Sequence, residues 1–229
     1  MYALYVGNKN YSSWSLRPWA LLTELAIPFE ERFQRFEGNG SPGFKKFSPS
    51  GRVPCLVDGD TVVWDSLAIA EYVAEDHPRV WSEERRARAF ARSAAAEMHS
   101  SFFELRNRCS MSVGVRIQLH EHPPALQRDL DRIAALWQDG LARFGGPFLA
   151  GSRFTAVDAF YAPVAFRLQT YGLSLGGAAE AYAKRLLALG ACRRWEADAL
   201  AEDFRDVGHE GEILASGKLL KDLRVPAAR

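Results

Sequence analysis

A chain of 229 residues, 48% hydrophobic and 25% charged, has the material for one large or two ordinary globular domains and is not a disordered polymer. Twenty-nine Lys and Arg against 28 Asp and Glu leave a formal charge of +1, which argues against a dedicated nucleic-acid binder. No run approaches the roughly 20 apolar residues of a membrane span, residues 1–13 read as strand and turn rather than signal peptide, and three scattered cysteines (Cys55, Cys109 and Cys192) suit reduced thiols in a cytoplasmic setting.

In chain order, residues 3–6 read as a strand and 7–11 as a polar turn. Leu16, Trp19, Ala20, Leu22 and Leu25 then share one helical face, with Pro18 tolerated in the first turn and Pro28 closing the helix. Residues 29–36 form a charged strand suited to a sheet edge, followed by a Gly, Asn, Ser and Pro loop over 38–51. Two apolar runs, 55–57 and 61–64, flank Asp58-Gly59-Asp60, a strong hairpin signal. Asp65-Ser66 sits where a helix cap belongs, ahead of Leu67, Ile69, Ala70 and Val73, and Pro78 ends that helix. Residues 79–86 read as a linker. Beyond it the pattern is helical: a long helix over 85–108, another over 125–144, and a capping box at Thr155-Ala156-Val157-Asp158 opening a helix that Pro163 should bend. The expected organisation is a β-α-β-loop-β-β-α domain over 1–78, similar to a thioredoxin-type fold, and an all-α bundle over 87–229.

Three stretches carry chemistry. Tyr11-Ser12-Ser13-Trp14-Ser15-Leu16-Arg17-Pro18 lies at the first strand-to-helix turn, where outward-pointing N–H groups favour anions and a serine hydroxyl can donate to a thiolate. The alternative is that one of the serines is simply an N-cap. Pro49-Ser50-Gly51-Arg52-Val53-Pro54 places a proline at the start of a strand, a candidate cis bond beside a Val53 backbone able to pair with an extended ligand. Asp65-Ser66, at a second helix start, can hold charged groups or merely cap. Several other patterns read as decoys. The formal G-x-G-x-x-G of residues 38–43 is not followed by a helix. His120 and His122 lack further ligands and suggest no metal site. Residues 83–92 read as a wet helix face, and Cys109 as a buried small hydrophobe.

In this order and spacing the three stretches, followed by Thr155-Ala-Val-Asp158, resemble the cytosolic glutathione transferases, and most closely the serine-type, zeta-like branch with its Ser-Ser-x-Ser-x-Arg signature. The resemblance implies the glutathione transferase fold, glutathione as co-substrate, a small-molecule electrophile as second substrate, and a homodimer. It implies that Ser12, with Ser13 as competitor, activates the thiol. It further implies that Val53 pairs with the cysteinyl part beside a cis Pro54, that Asp65 and Ser66 hold the γ-glutamyl end, and that Arg52 reaches the glycyl carboxylate. An electrophile pocket is expected from Tyr11, Trp14, His99, Phe103 and Arg106. Trp14 stands where the zeta-like signature has cysteine, which sets glutathione-dependent isomerisation of the maleylacetoacetate type behind conjugation. A non-catalytic carrier of the same fold is the other alternative.

Overall fold

The computed structural model describes residues 1–38 and 42–227; residues 39–41 of the G-x-G-x-x-G loop lie outside them. A four-stranded sheet is built in the order β2-β1-β3-β4 from β1 (Tyr2–Val6), β2 (Phe29–Phe33), β3 (Cys55–Asp58) and β4 (Thr61–Trp64). β1 runs parallel to β2 and antiparallel to β3. The β3–β4 hairpin pairs Asp58 with Thr61 as expected, Gly59 adopting a φ of +56° that lets the chain reverse within two residues. β2 ends three residues before the expected 36, because Phe36 N–H leaves the ladder to donate to Asn8 Oδ1 at 2.8 Å.

Two helices, α1 (Ser13–Glu24) and α2 (Ser66–Asp76), pack beside the sheet, and α1 also packs along α6 (Ala156–Tyr171). Both α1 and α6 lose the usual one-sided apolar stripe. Nine of the twelve α1 residues and all but Gln169 of α6 are buried, since each has neighbours on more than one side. Around them lie α3 (Arg85–Ser100), α4 (Phe103–Arg108), α5 (Pro124–Phe144), α7 (Gly177–Ala188), α8 (Gly190–Ala201) and α9 (Val207–Ser216).

The expected single helix over 85–108 is two. Ser101 is extended and Phe102 adopts the left-handed conformation at φ +60°, which buries the Phe102 ring and starts α4 in a new direction. The helical half also carries an antiparallel ribbon of β5 (Val115–Leu119) and β6 (Gly217–Asp222). Val115 and Ile117 face the core while Arg116 and Gln118 face out, a period-2 pattern whose partner lies about 100 residues away.

The start of α6 forms the reciprocal box that Thr155 and Asp158 predict. Asp158 is fully buried and accepts from Thr155 N–H (2.9 Å), Leu149 N–H (3.1 Å) and the Tyr182 hydroxyl (2.7 Å). Burial outweighs these bonds and lifts its carboxyl to about 6. A carboxyl whose folded value exceeds its unfolded one contributes stability below the unfolded value, and that contribution is lost as pH rises through the folded one. Urea unfolding of wild type and Asp158→Asn should therefore diverge between pH 4 and 6: wild type loses about 3 kcal/mol relative to the variant as pH rises across that window. Parallel curves would contradict this assignment.

Candidate functional site

The turn between β1 and α1 is built from polar residues that are all buried. Asn8 C=O accepts from Tyr11 N–H (3.1 Å) and Ser12 N–H (2.9 Å), which closes the turn one residue before the helix. Lys9 Nζ lies between the Glu31 (2.8 Å) and Asp198 (2.7 Å) carboxylates and over the Trp19 and Trp195 rings. Lys9 N–H donates to Glu202 (2.6 Å), and Trp195 Nε1–H to Lys9 C=O (2.8 Å). Asn10 Nδ2 donates to Ala199 C=O and its Oδ1 accepts from Gly114 N–H at 3.1 Å. The turn is thus anchored to the sheet on one side and to α8 on the other.

Ser12 follows as the N-cap of α1, 5% exposed, its Oγ accepting from Ser15 N–H (3.3 Å). The Ser12 and Ser15 hydroxyls lie 2.6 Å apart, and Ser15 Oγ accepts from Gly7 N–H at 3.1 Å. Capping and ligand contact are compatible here, because Ser12 also lines an open cleft of about 510 Å³ with Tyr11, Trp14, Phe36, Val53 and His209. Ser13 does not line that cleft; its Oγ faces the buried Arg167 guanidinium at 3.5 Å.

A second cleft, about 330 Å³, adjoins the first across Trp14, Ser50, Arg52 and Val53, which line both; Pro54, Trp64, Asp65, Ser66 and His99 complete it. The Val53–Pro54 bond is cis, and the Val53 N–H and C=O have no partner among the described residues. Asp65, at φ +77°, caps α2 through Leu67 N–H (2.8 Å) and leaves its other oxygen 3.4 Å from His99 Nε2. Ser66 Oγ accepts from Arg17 Nη1 at 3.4 Å.

Arg17 is the electrostatic centre beneath both clefts. Only 1% exposed, it stacks on Trp14 (4.1 Å) and Phe160 (4.9 Å), and among the described residues it has no carboxylate within ion-pair distance and no partner for Nε. Burial, reinforced by Arg167 and Arg106 and opposed by the Asp65 carboxylate, brings its guanidinium down to about 9, still charged at neutral pH. His99 is likewise pushed down by burial, against the Asp65 carboxylate and with Arg17 and Arg106, and is a neutral imidazole there.

The expected electrophile pocket is only partly assembled. Tyr11 and Trp14 line the Ser12 cleft. His99 instead belongs to the Asp65 cleft, and neither Phe103 nor Arg106 lines either one. The left-handed Phe102 turns Phe103 out to 62% exposure, and Arg106 lies over the Trp14 and Phe103 rings while donating to His99 C=O. Phe36 and His209 line the Ser12 cleft as well. The sequence reading missed His209; the signal that could have found it is the spacing Asp206-x-x-His209 at a helix start, where Asp206 caps α9 and accepts from both His209 N–H (3.1 Å) and Nδ1 (2.7 Å). Cys109 has its thiol pushed up to about 12 by burial, in keeping with an inert core residue, and His122 bonds to Gln127.

Residues 11–76 match the family model described as glutathione S-transferase, N-terminal domain, and residues 84–198 that of the C-terminal domain. A zeta-class glutathione S-transferase of Euphorbia esula is 31% identical over 126 residues, 54% of this chain and 56% of that protein. The glutathione S-transferase-like protein OpS6 of Beauveria bassiana is 22% identical over 171 residues, 70% of this chain and 76% of that protein. The first of these relatives is thus matched over little more than half its length. Among solved structures, a glutathione transferase homologue from Burkholderia, described with bound glutathione, superposes with a TM-score of 0.64 at 22% identity, covering 86% of this chain and 97% of that one.

Because Arg17 is buried without a counter-ion, an apolar replacement should relieve the folded state while discharging the site. Arg17→Met is expected to raise the unfolding free energy by about 1 to 3 kcal/mol in urea titrations, the lost ring stacking offsetting part of the removed desolvation cost. A loss of stability would mean that the guanidinium is compensated.

Proposed function

This chain belongs to the glutathione S-transferase family, and on that premise we propose that it binds glutathione across the two adjoining clefts and activates its thiol for attack on small hydrophobic electrophiles. The observation that carries the reading is the Ser12 hydroxyl, held at the start of α1 on the wall of the larger cleft, near the buried Arg17 guanidinium.

The γ-glutamyl end lies in the smaller cleft. Asp65 and the polar wall of Ser66, braced by Arg17, meet its ammonium and carboxylate. The unpaired Val53 backbone takes the cysteinyl amide in the manner of an added strand, and Arg52 meets the glycyl carboxylate. The sulfur then faces Ser12. The Ser12 hydroxyl donates to Ser15 Oγ at 2.6 Å, and as thiolate forms that proton turns from Ser15 to sulfur, Ser15 Oγ keeping its bond from Gly7 N–H. The N–H of Trp14, which has no partner among the described residues, and the α1 dipole add to this. A free thiol titrates near 8.5, and one or two units of lowering need about 1.4 kcal/mol each, within reach of a charge-assisted hydrogen bond and a helix start. The aromatic wall of Tyr11, Trp14 and Phe36 suits an apolar electrophile.

No feature of the clefts calls for a metal, and none of the described residues forms a group of three or more potential metal ligands. No helix among the described residues is long and apolar enough to cross a membrane. A homodimer in the cytoplasm, using this site in detoxification, is the setting proposed with the activity.

The serine assignment is separable by substitution. Ser12→Ala is expected to lower kcat/KM for glutathione conjugation about 10- to 100-fold at neutral pH, and Ser13→Ala less than about threefold, in a spectrophotometric conjugation assay. Equal losses, or the reverse order, would reject Ser12 as the activating group.

A further inference from the structure

The larger cleft contains a second ionisable device that the family signature does not include. His209 stands on α9 with its imidazole between the rings of Tyr11 and Phe36, centroids 5.0 Å from each, and lines the same cleft as Ser12. Its Nδ1 lies 2.7 Å from Asp206 Oδ2, and Asp206 is only 5% exposed. Burial alone would raise that carboxyl, but the hydrogen bonds from His209 hold it below the usual range, so it is an ionised acceptor. Nδ1 must therefore carry a proton, and the lone pair or second proton of the ring resides at Nε2. Nε2 has no hydrogen-bond partner among the described residues. A carboxylate-oriented imidazole with one free nitrogen in a reaction cleft is the arrangement of a general acid–base.

Other groups near the cleft are less suited to that work. The Tyr11 hydroxyl is committed to Glu210 at 2.7 Å, itself bound by Arg224, and burial together with Glu210 raises its pKa far above neutrality. Lys45 and Arg52, which also line the cleft, have donor hydrogens and no acceptor lone pair with which to cycle a proton. Asp206 and Glu210, on the same segment, are acceptors.

Resting on the glutathione reading above, we propose that His209, oriented by Asp206, is a catalytic proton carrier, and that the electrophiles served are those that become oxyanions on attack, α,β-unsaturated carbonyls and epoxides. The bound thiol gives its proton to solvent as the thiolate forms at Ser12, and Nε2 takes one up from solvent between turnovers. Sulfur then bonds to carbon while the displaced electron pair moves to oxygen, through the conjugated π system or by opening the epoxide C–O bond. Nε2–H breaks as the oxyanion or its conjugate carbon takes up the proton. The sum is addition of S–H, with no oxidant or reductant. Displacement of chloride from an aryl halide needs no such donor, because the leaving group departs as a stable anion.

Phenylbutenone and chlorodinitrobenzene distinguish the two chemistries. His209→Gln should lower kcat/KM for phenylbutenone about 100-fold more than for chlorodinitrobenzene, and imidazole added to His209→Ala should restore part of the phenylbutenone rate. In wild-type protein, without recourse to a variant, the phenylbutenone reaction should show a normal solvent deuterium isotope effect that the chlorodinitrobenzene reaction lacks. Equal losses on both substrates without imidazole rescue, or equal isotope effects, would overturn the role of His209 while leaving the Ser12 reading intact. Failure of the wild type to conjugate either substrate would instead overturn the glutathione reading, and this proposal with it.

Discussion

The geometry of the site depends on a buried turn that cannot move. Ser12 can present a hydroxyl to a ligand because residues 8–11 are fixed from both sides: Asn8 closes the turn onto Ser12, and Lys9 is clamped between Glu31 of β2 and Asp198 of α8. Two ion pairs around one nearly buried ammonium are a weak source of net stability, since desolvation consumes most of the Coulombic gain. They are a strong source of position, because any displacement leaves charges unpaired. The same turn donates and accepts along α8 through Lys9, Asn10 and Trp195, so the helical half of the molecule contributes directly to the placement of Ser12.

Charge beneath the site follows from the same packing. α1 lies between the sheet, α2 and α6, and this position buries Arg17 against Phe160 and near Arg167 without supplying a carboxylate. A folded chain ordinarily avoids such a group. Here the guanidinium braces Ser66 and stacks on Trp14, so a buried charge supports two residues that line the clefts. Trp14, with Ser50, Arg52 and Val53, lines both clefts.

Local signals made much of this legible beforehand. Strand and helix punctuation by Pro28, Gly59 and Pro78, the cap at Asp65 and the box at Thr155–Asp158 each act within a few residues, and the elements they predict form. From the three stretches singled out, Tyr11, Ser12 and Trp14, residues 50–54, and Asp65 with Ser66 line two adjoining clefts. What was not legible is non-local. A left-handed Phe102 has no sequence mark, since glycine is the usual occupant of that conformation, and it carries Phe103 out of the site. The β5–β6 pairing joins segments about 100 residues apart and leads the chain back past Tyr11, where Arg224 and Glu210 meet its hydroxyl. His209 enters the cleft only through that return, so no helical periodicity in residues 99–106 could stand in for it.

Ultraviolet titration of bound glutathione measures the central claim most directly, because thiolate absorbs where thiol does not. The bound thiol should ionise at least one pH unit below the free one near 8.5, and Ser12→Ala should return it close to that free value. A bound thiol that titrates like free glutathione, or a lowered value unchanged by Ser12→Ala, would contradict it.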